Sequence, residues 1–258
     1  MGLDLYAGPL TRYYAHNWKT AAQQLAEENG WGYHRITPQG TEETAGEIGA
    51  DQIRADVEQW RDALLAAISP KDGAPYAPWP ESNEKPYYTD KPDWDAFGAL
   101  LLYTAAEVQR EPFPPQVEKN WDFTAYPLMQ QMLEDTERVR SWSLLLGATW
   151  WLPIDRPLYF KAPNPAGSDT LIATTGLLRM ELEHINALGW QADEETIRSW
   201  TESEGYPEDT ATDASDPAGD MQEHTTYDTE SLAKYAFSIL WRAVEFSQRE
   251  QVPILLDY

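Results

Sequence analysis

The feature that most constrains the fold is the helical spacing of apolar residues in two long segments. Residues 51–68 and 229–250 carry apolar side chains three or four positions apart, which is the period of an amphipathic helix. Ser69-Pro70 is expected to end the first helix, and Asp228 or Thr229 to cap the second. Shorter helices are predicted over 18–28, 93–110, 127–146, 175–189 and 193–203.

Short apolar runs between these segments predict strands. We expect "ATWWLPI" and "PLYFKAP" to form a hairpin joined through Asp155-Arg156, and residues 3–14 to form one or two strands broken at Gly8-Pro9. The apolar chain ends, "LDLY" and "ILLDY", are expected to pair in one small sheet. Helices and strands follow each other without a βαβ rhythm, which favours an α+β fold dominated by helices.

The sequence predicts one globular domain over residues 1–258, with a small, mostly antiparallel sheet of short strands. No shift in composition marks a domain boundary. Residues 70–92 are rich in proline and aromatic residues, so we expect an irregular loop packed onto the surface. Residues 205–227 are acidic and poor in apolar residues, and we expect a mobile loop there.

The chain is strongly acidic. It has 43 Asp and Glu against 19 Lys and Arg, which gives a net charge of −24. Such a charge repels nucleic acid and anionic membranes and attracts basic proteins. It is also compatible with a role in solubility alone or with a salty habitat. The first residues lack a basic segment followed by a long apolar run, so no secretory signal is expected, and we predict a soluble cytoplasmic protein.

Several classes of site are excluded by residue type or motif. There is no cysteine, which rules out disulfides, thiol nucleophiles and cysteine-ligated metals. The sequence contains no G-x-S-x-G, no G-x-x-x-x-G-K-[ST], no G-x-G-x-x-G and no H-E-x-x-H. The 12 tryptophans could stack on sugars, but several recur at helical core spacings, so core packing is the simpler interpretation.

Glu181 and His184 are the strongest candidates for a reactive pair. A helical wheel of "GLLRMELEHINALGW" places Glu181 in the middle of the apolar face and His184 on its flank. A buried carboxylate needs a hydrogen-bonding partner, a proton or a metal. Glu and His three residues apart can share a metal, but a di-iron site needs two such motifs. An ion-paired or hydrogen-bonded core residue, a metal site and an acid–base pair therefore remain as alternatives.

A second candidate site lies near the N-terminus, where "DLYAGPLTRYYAHNW" gathers charged and aromatic residues. Strand alternation would place Asp4 with Tyr6 on one face, and Arg12 with Tyr14 on another. Such a group could line a pocket, although aromatic pairs at a sheet edge, followed by the start of a helix, are the favoured interpretation. The predicted binding residues from this segment and from the 70–92 loop are Asp4, Tyr6, Arg12, Tyr14, Trp18, Trp79 and Tyr87, with His16 as a further catalytic candidate.

Asp209, Asp213 and Asp216 belong to an acidic run inside residues 201–230, which contain ten Asp or Glu and no Lys or Arg. Their spacing lacks the alternation of a helix–loop–helix calcium site, so a solvated loop that attracts cations is expected. We add these three residues to the predicted binding surface.

These patterns favour a binding protein over an enzyme. The expected partner is a basic protein, and an inhibitor or immunity-type protein that blocks a nucleic-acid-directed toxin is one instance. No cofactor is expected, and neither nucleic acid nor a membrane is an expected partner. The alternatives are a metal-assisted hydrolase that uses Glu181, His184 and His16, and a homodimer formed through exposed aromatic residues.

Overall fold

The computed structural model describes residues 2–30, 36–37, 40–41, 49–207 and 225–257. The strands in these ranges are β1 (Asp4–Ala7), β2 (Ile36–Thr37), β3 (Gly40–Thr41), β4 (Tyr88–Asp90), β5 (Gln116–Glu118), β6 (Trp150–Leu152), β7 (Tyr159–Pro163), β8 (Asp169–Thr174), β9 (Thr226–Asp228) and β10 (Ile254–Asp257). The helices are α1 (Leu10–Tyr14), α2 (Ala21–Glu28), α3 (Ala50–Ile68), α4 (Trp94–Gln109), α5 (Pro127–Glu134), α6 (Thr136–Val139), α7 (Thr175–Leu188), α8 (Glu194–Ser203) and α9 (Thr229–Glu250).

The principal sheet has six strands in the order β4-β1-β10-β6-β8-β7. Neighbouring strands are antiparallel, apart from β6 and β8, which are parallel. Two short antiparallel ladders, β2–β3 and β5–β9, complete the strand pairing of the described residues. The α+β class and the small, mostly antiparallel sheet of short strands are thus confirmed.

The predicted pairing of the two chain ends is confirmed inside this sheet. β1 and β10 are neighbours in antiparallel register, from Asp4 opposite Asp257 to Ala7 opposite Ile254. Every residue of β10 from Ile254 to Leu256 is buried, and so is every residue of β6. Strands buried on both faces read as continuous apolar runs, which explains why "WWL" and "ILL" lack alternation.

The predicted hairpin between residues 148–154 and 157–163 is wrong. β8 lies between the two strands, in parallel register with β6 and antiparallel register with β7. The burial of the strands explains the order: β8 ends in the buried residues Ile172–Thr174, whereas β7 exposes every second residue. A strand that exposes one face suits the edge of a sheet, and a buried strand suits its interior.

Two local predictions also need correction. Residues 10–14 form helix α1 rather than a strand, because Pro9 precedes the first turn with a φ of −61°. The helix predicted over 127–146 is broken after Glu134, where the side chain of Asp135 accepts a hydrogen bond from the Arg138 amide and starts α6.

Residue contacts group the chain into two compact units. One unit comprises Met1–Lys91, Gly147–Met180 and Ala243–Tyr258, and contains the six-stranded sheet with α1, α2 and α3. Its core packs one face of the sheet against α1, α3 and the loop before β4. The core residues are Tyr6, Leu10, Val57, Leu64, Leu65, Trp79, Trp150, Leu152, Ile154, Ile172 and Leu255.

The other unit comprises Pro92–Leu146 and Glu181–Arg242. Its central element is α4, in which every residue from Asp95 to Ala106 is buried. A helix buried on all sides is apolar all round, as this one is. Tyr103 of α4 stacks on Trp190 with ring centroids 4.2 Å apart, and Trp190 in turn contacts Trp200 and Phe237. The expectation that most tryptophans serve the core holds for this group.

Gly176, in the first turn of α7, packs against the backbone of Asp155, and a substitution there tests this contact. An ideal Cβ at this position would lie 1.8 Å from the carbonyl oxygen of Asp155, so both backbones must move in Gly176→Ala. We expect a loss of about 3 kcal/mol in the free energy of unfolding, measured by urea denaturation. Gly49→Ala is the matched control, because among the described residues no atom beyond its chain neighbours and its own helix backbone lies within 4 Å of its Cβ position. Equal stabilities of the two variants would contradict the packing described here.

Candidate functional site

Glu181 lies inside the protein and binds a turn of the chain. Its side chain is on α7, and the residue is only 2% exposed. One carboxylate oxygen accepts a hydrogen bond from the Ser143 amide, and the other accepts from the Ser143 hydroxyl at 3.0 Å and from the Leu144 amide at 3.2 Å. These donors satisfy the buried carboxylate, which corresponds to the hydrogen-bonded alternative of the sequence analysis.

Burial governs the protonation of this carboxyl group. It raises the pKa of Glu181 from 4.5 to about 7, although the hydrogen bonds from Ser143 and Leu144 act in the opposite direction. The group is thus poised between its two protonation states near neutral pH, in contact with a turn rather than with solvent.

His184 is exposed and does not share the environment of Glu181. Its ring stacks on that of Trp142, with ring centroids 5.2 Å apart. His16 is also exposed, at a positive φ of 51° just after α1. Within the described ranges, no group of three or more His, Cys, Asp and Glu side chains has the geometry to hold a metal ion. The metal-assisted hydrolase therefore stays a prediction, and the contacts of Glu181 do not support it.

Glu81 is a second buried carboxylate, which sequence reasoning missed. One of its oxygens accepts from the Thr11 amide at 2.8 Å and from the Thr11 hydroxyl at 2.9 Å. The other accepts from the Trp79 indole at 2.8 Å. Burial raises the pKa of Glu81, while these hydrogen bonds lower it. The arrangement fastens this part of the 70–92 segment to the start of α1. The segment is not irregular throughout, because Tyr88–Asp90 form β4.

Arg61 completes the attachment of that loop. It lies on α3, and its guanidinium donates to the carbonyl oxygen of Trp79 and pairs with Asp62. The Trp79 side chain, 2% exposed, fills the core between α3 and the sheet. The structure thus places Trp79, one of the predicted binding residues, in the interior, where its indole nitrogen donates to Glu81.

An aromatic cluster forms where α1, the segment after it and the end of the 70–92 segment meet. We define this aromatic cluster as Tyr6, Tyr13, Trp18 and Tyr87, together with Arg12. The Tyr6 ring lies 4.8 Å from that of Trp18 and 5.4 Å from that of Tyr13. The Arg12 guanidinium stacks over the Tyr87 ring at 4.4 Å. Four residues that the sequence suggested for binding are thereby brought together.

Hydrogen bonds hold the aromatic cluster in place. Arg12 donates to the carbonyl oxygens of Asn17 and Lys85, which ties the two flanking segments to each other. The Tyr87 hydroxyl accepts from the Lys19 amide at 3.1 Å and from the side-chain amide of Gln24 at 3.2 Å. The rings are therefore preorganised, as a rigid contact surface requires.

The predicted binding residues divide into an interior and a surface group. Tyr6 is fully buried, and its hydroxyl donates to the Pro9 carbonyl, so it supports the cluster but cannot touch a partner. Tyr13, Trp18 and Tyr87 are half-buried, as are Arg12, Tyr14 and Asp4. Asp209, Asp213 and Asp216 lie outside the described residues.

Comparisons with known proteins return no match: no protein-family model, no curated protein and no solved structure matches the chain. Among the described residues, no helix combines the length and apolar character that crossing a membrane requires.

The pH dependence of stability tests the environment of Glu181. Because its pKa is raised from 4.5 to about 7 in the folded protein, the carboxyl stabilises the fold when protonated, and this contribution is lost as pH rises through that interval. Relative to Glu181→Gln, wild type should lose about 3 kcal/mol of unfolding free energy between about pH 4 and about pH 8. A difference between the two proteins that does not change with pH would contradict this environment.

Removal of the Glu81 carboxylate tests the attachment of the 70–92 segment. In Glu81→Ala the Thr11 amide and the Trp79 indole lose their acceptor inside the protein. We expect the free energy of unfolding to fall by about 3 kcal/mol. Glu84→Ala, at an exposed position of the same segment, is the control and should change it by less than about 0.5 kcal/mol. Similar losses of unfolding free energy in both variants would show that the hydrogen bonds of Glu81 do not stabilise the fold.

Proposed function

We propose that the protein is an acidic binding protein that docks on a basic protein partner. The observation that carries this proposal is the surplus of carboxylates. Even if each of the 19 basic residues neutralises one acid, 24 of the 43 acidic residues have no basic counterpart. A surplus of this size creates a negative potential that draws positively charged proteins toward the molecule.

Several ion pairs of the described residues are local and exposed, and no ion pair changes the net charge that creates this potential. Arg198 pairs with Glu194 and Arg140 with Glu137, each within one helical turn. Exposed pairs of this kind contribute little to stability and do not alter the net charge of the surface around them. The acidic surface therefore supports long-range attraction of a basic partner.

The aromatic cluster supports a specific contact after that attraction. Tyr13, Trp18 and Tyr87 are half-exposed rings held by buried neighbours, and rigid aromatic residues are the commonest anchors of protein interfaces. The Tyr87 ring already stacks on the Arg12 guanidinium, and the exposed parts of the Tyr13 and Trp18 rings can likewise attract the guanidinium and ammonium groups of a basic surface. Polar side chains lie beside them, including Asn17, which donates to Asn83. Anchors beside polar groups resemble the arrangement found at interfaces in general.

An inhibitor or immunity-type protein is the functional class that fits this proposal best. A nuclease toxin must present a basic surface to its nucleic acid substrate, and an acidic protein that covers this surface blocks access. The proposal needs no reactive group, which agrees with the use of Glu181 and Glu81 as acceptors for neighbouring amide groups.

The salt dependence of association tests the proposal, with a nonaarginine peptide as the basic probe. We expect the association rate, followed by tryptophan fluorescence in stopped flow, to fall at least about tenfold between about 0.02 and about 0.3 M NaCl. Trp18→Ala should weaken equilibrium binding about tenfold, whereas Leu25→Ala, at a 54% exposed leucine outside the aromatic cluster, should leave it unchanged. An association rate that does not change with salt would contradict electrostatic attraction of the partner. A Trp18→Ala variant that binds like wild type would contradict the role of Trp18 in the contact.

A further inference from the structure

β7 forms one edge of the six-stranded sheet. Within the described part of the chain it pairs on one side only, with β8. Phe160 and Ala162 pack against the core, while the side chains of Tyr159, Lys161 and Pro163 are exposed. On the other side of β7, the backbone groups have no strand of the described residues beside them.

The register shows which backbone groups face outward. The Thr174 amide donates to the Leu158 carbonyl at 3.1 Å, so Leu158 directs its backbone groups toward β8. Backbone direction alternates along a strand, and Phe160, opposite Ile172, shares the direction of Leu158. Tyr159 and Lys161 consequently point their amide and carbonyl groups away from the sheet.

Two prolines limit the outward-facing backbone groups of this edge to those of Tyr159 and Lys161, which lie on either side of Phe160. We call these two residues the window. Pro157 precedes the window and Pro163 follows it, and neither has an amide hydrogen to donate. The Pro163 carbonyl already accepts a hydrogen bond from the Trp60 indole at 2.8 Å. Tyr159 and Lys161 thus supply two donors and two acceptors, and the edge is closed at both ends.

The window is symmetric about Phe160, and this symmetry identifies the occupant. We propose that β7 pairs antiparallel with β7 of a second copy of this chain, around a two-fold axis at Phe160. Tyr159 then lies opposite Lys161 of the second copy, and the two residue pairs form four backbone hydrogen bonds. Pro157 lies opposite Pro163 of the second copy. Because neither residue has an amide hydrogen, this pairing leaves no backbone donor without an acceptor.

The charge of this segment also fits a second copy. Residues 156–168, "RPLYFKAPNPAGS", contain Arg156 and Lys161 and no acidic residue. In a chain with a net charge of −24, this is a stretch where two copies approach with little repulsion between carboxylates. Tyr159, 38% exposed, adds apolar area and lies where the aliphatic part of the opposite Lys161 can cover it.

Lys161 and the two prolines also explain why pairing stops at two copies. Lysine and proline on an edge strand are features that oppose open-ended strand addition. A closed two-fold contact uses the open edge of both copies, which leaves none for a third. The dimer contact lies on β7, whereas the anchor for a basic partner lies on the aromatic cluster, so the two interactions make separate predictions.

Sedimentation over a range of protein concentration, from about 5 to about 500 µM, tests the dimer by mass action. We expect a monomer–dimer equilibrium that shifts toward the dimer as NaCl rises from about 0.05 to about 0.5 M, because salt screens the surplus charge. Binding of the basic probe responds to salt in the opposite direction, so failure of one proposal is distinguishable from failure of the other. A wild-type protein that stays monomeric throughout these ranges overturns the dimer.

Lys161→Pro removes the outward amide without removing a bond to β8, and Lys161→Thr keeps that amide. We expect the proline variant to raise the dimer dissociation constant at least about tenfold, and the threonine variant, which loses only the side-chain contacts of Lys161, to raise it by less than about threefold. A proline variant that dimerises normally places the contact elsewhere and overturns the proposal.

Amide hydrogen exchange on wild type tests the same contact without any substitution, which matters if the proline variant fails to fold. In the monomer the Tyr159 and Lys161 amides face outward and exchange freely. In the dimer they are hydrogen-bonded, so their exchange should slow as protein concentration rises, while the Phe160 amide stays protected at every concentration. Exchange at Tyr159 and Lys161 that does not change with concentration overturns the pairing.

Discussion

A surplus of carboxylates that the basic residues cannot neutralise is the constraint on which the rest of the structure depends. With 43 acidic and 19 basic residues, the chain cannot give each acid its own cation. The buried carboxylates Glu181, Glu81 and Asp95 accept hydrogen bonds from neutral donors, and a surplus of carboxylates remains outside with no basic counterpart. The hydrogen bonds of the buried carboxylates and the negative charge of the surface both follow from this excess of acidic residues.

Inside the protein, carboxylates act as acceptors for the backbone of distant segments. Glu181 binds the turn at Ser143 and Leu144, Glu81 binds the start of α1 at Thr11, and Asp95 accepts from the Asn120 amide at 3.0 Å. In each case the donors are amide, hydroxyl or indole groups rather than a basic side chain. The desolvation of the acid is offset by groups that would themselves be unsatisfied if buried alone. Each buried acid thereby attaches a turn or loop that lacks the regular backbone hydrogen bonds of a helix or sheet.

The elements whose limits are set by residues close together in sequence were predictable. The limits of α3, α8 and α9 follow from apolar spacing and from caps such as Asp193, whose side chain accepts from the Thr196 amide. Pairing of β1 with β10 was also predictable, because both chain ends are apolar and short. The position of β8 between β6 and β7 was not, since strand order depends on which strands are buried, and single segments do not carry that information.

The candidate site was predictable to a similar degree. Arg12, Trp18 and Tyr87 do come together around Tyr6, although residues 10–14, expected as a strand, form helix α1, which carries Arg12. Tyr6 and Trp79 looked like surface aromatics, and tertiary packing put them in the core. Glu81 gave no signal, because its partner Thr11 lies 70 residues away and the sequence between them shows no periodic relation to it. Long-range polar contacts of this kind are the part that a single sequence cannot supply.

The dependence of thermal stability on salt tests the central claim most directly, because unneutralised surface carboxylates repel one another in the folded protein. Screening by NaCl should relieve that repulsion, so the account predicts that Tm rises by about 5 °C or more between about 0.02 and about 0.5 M NaCl at neutral pH. A Tm that stays constant or falls over this range would show that surface charges are already balanced by local pairs, and would contradict the account.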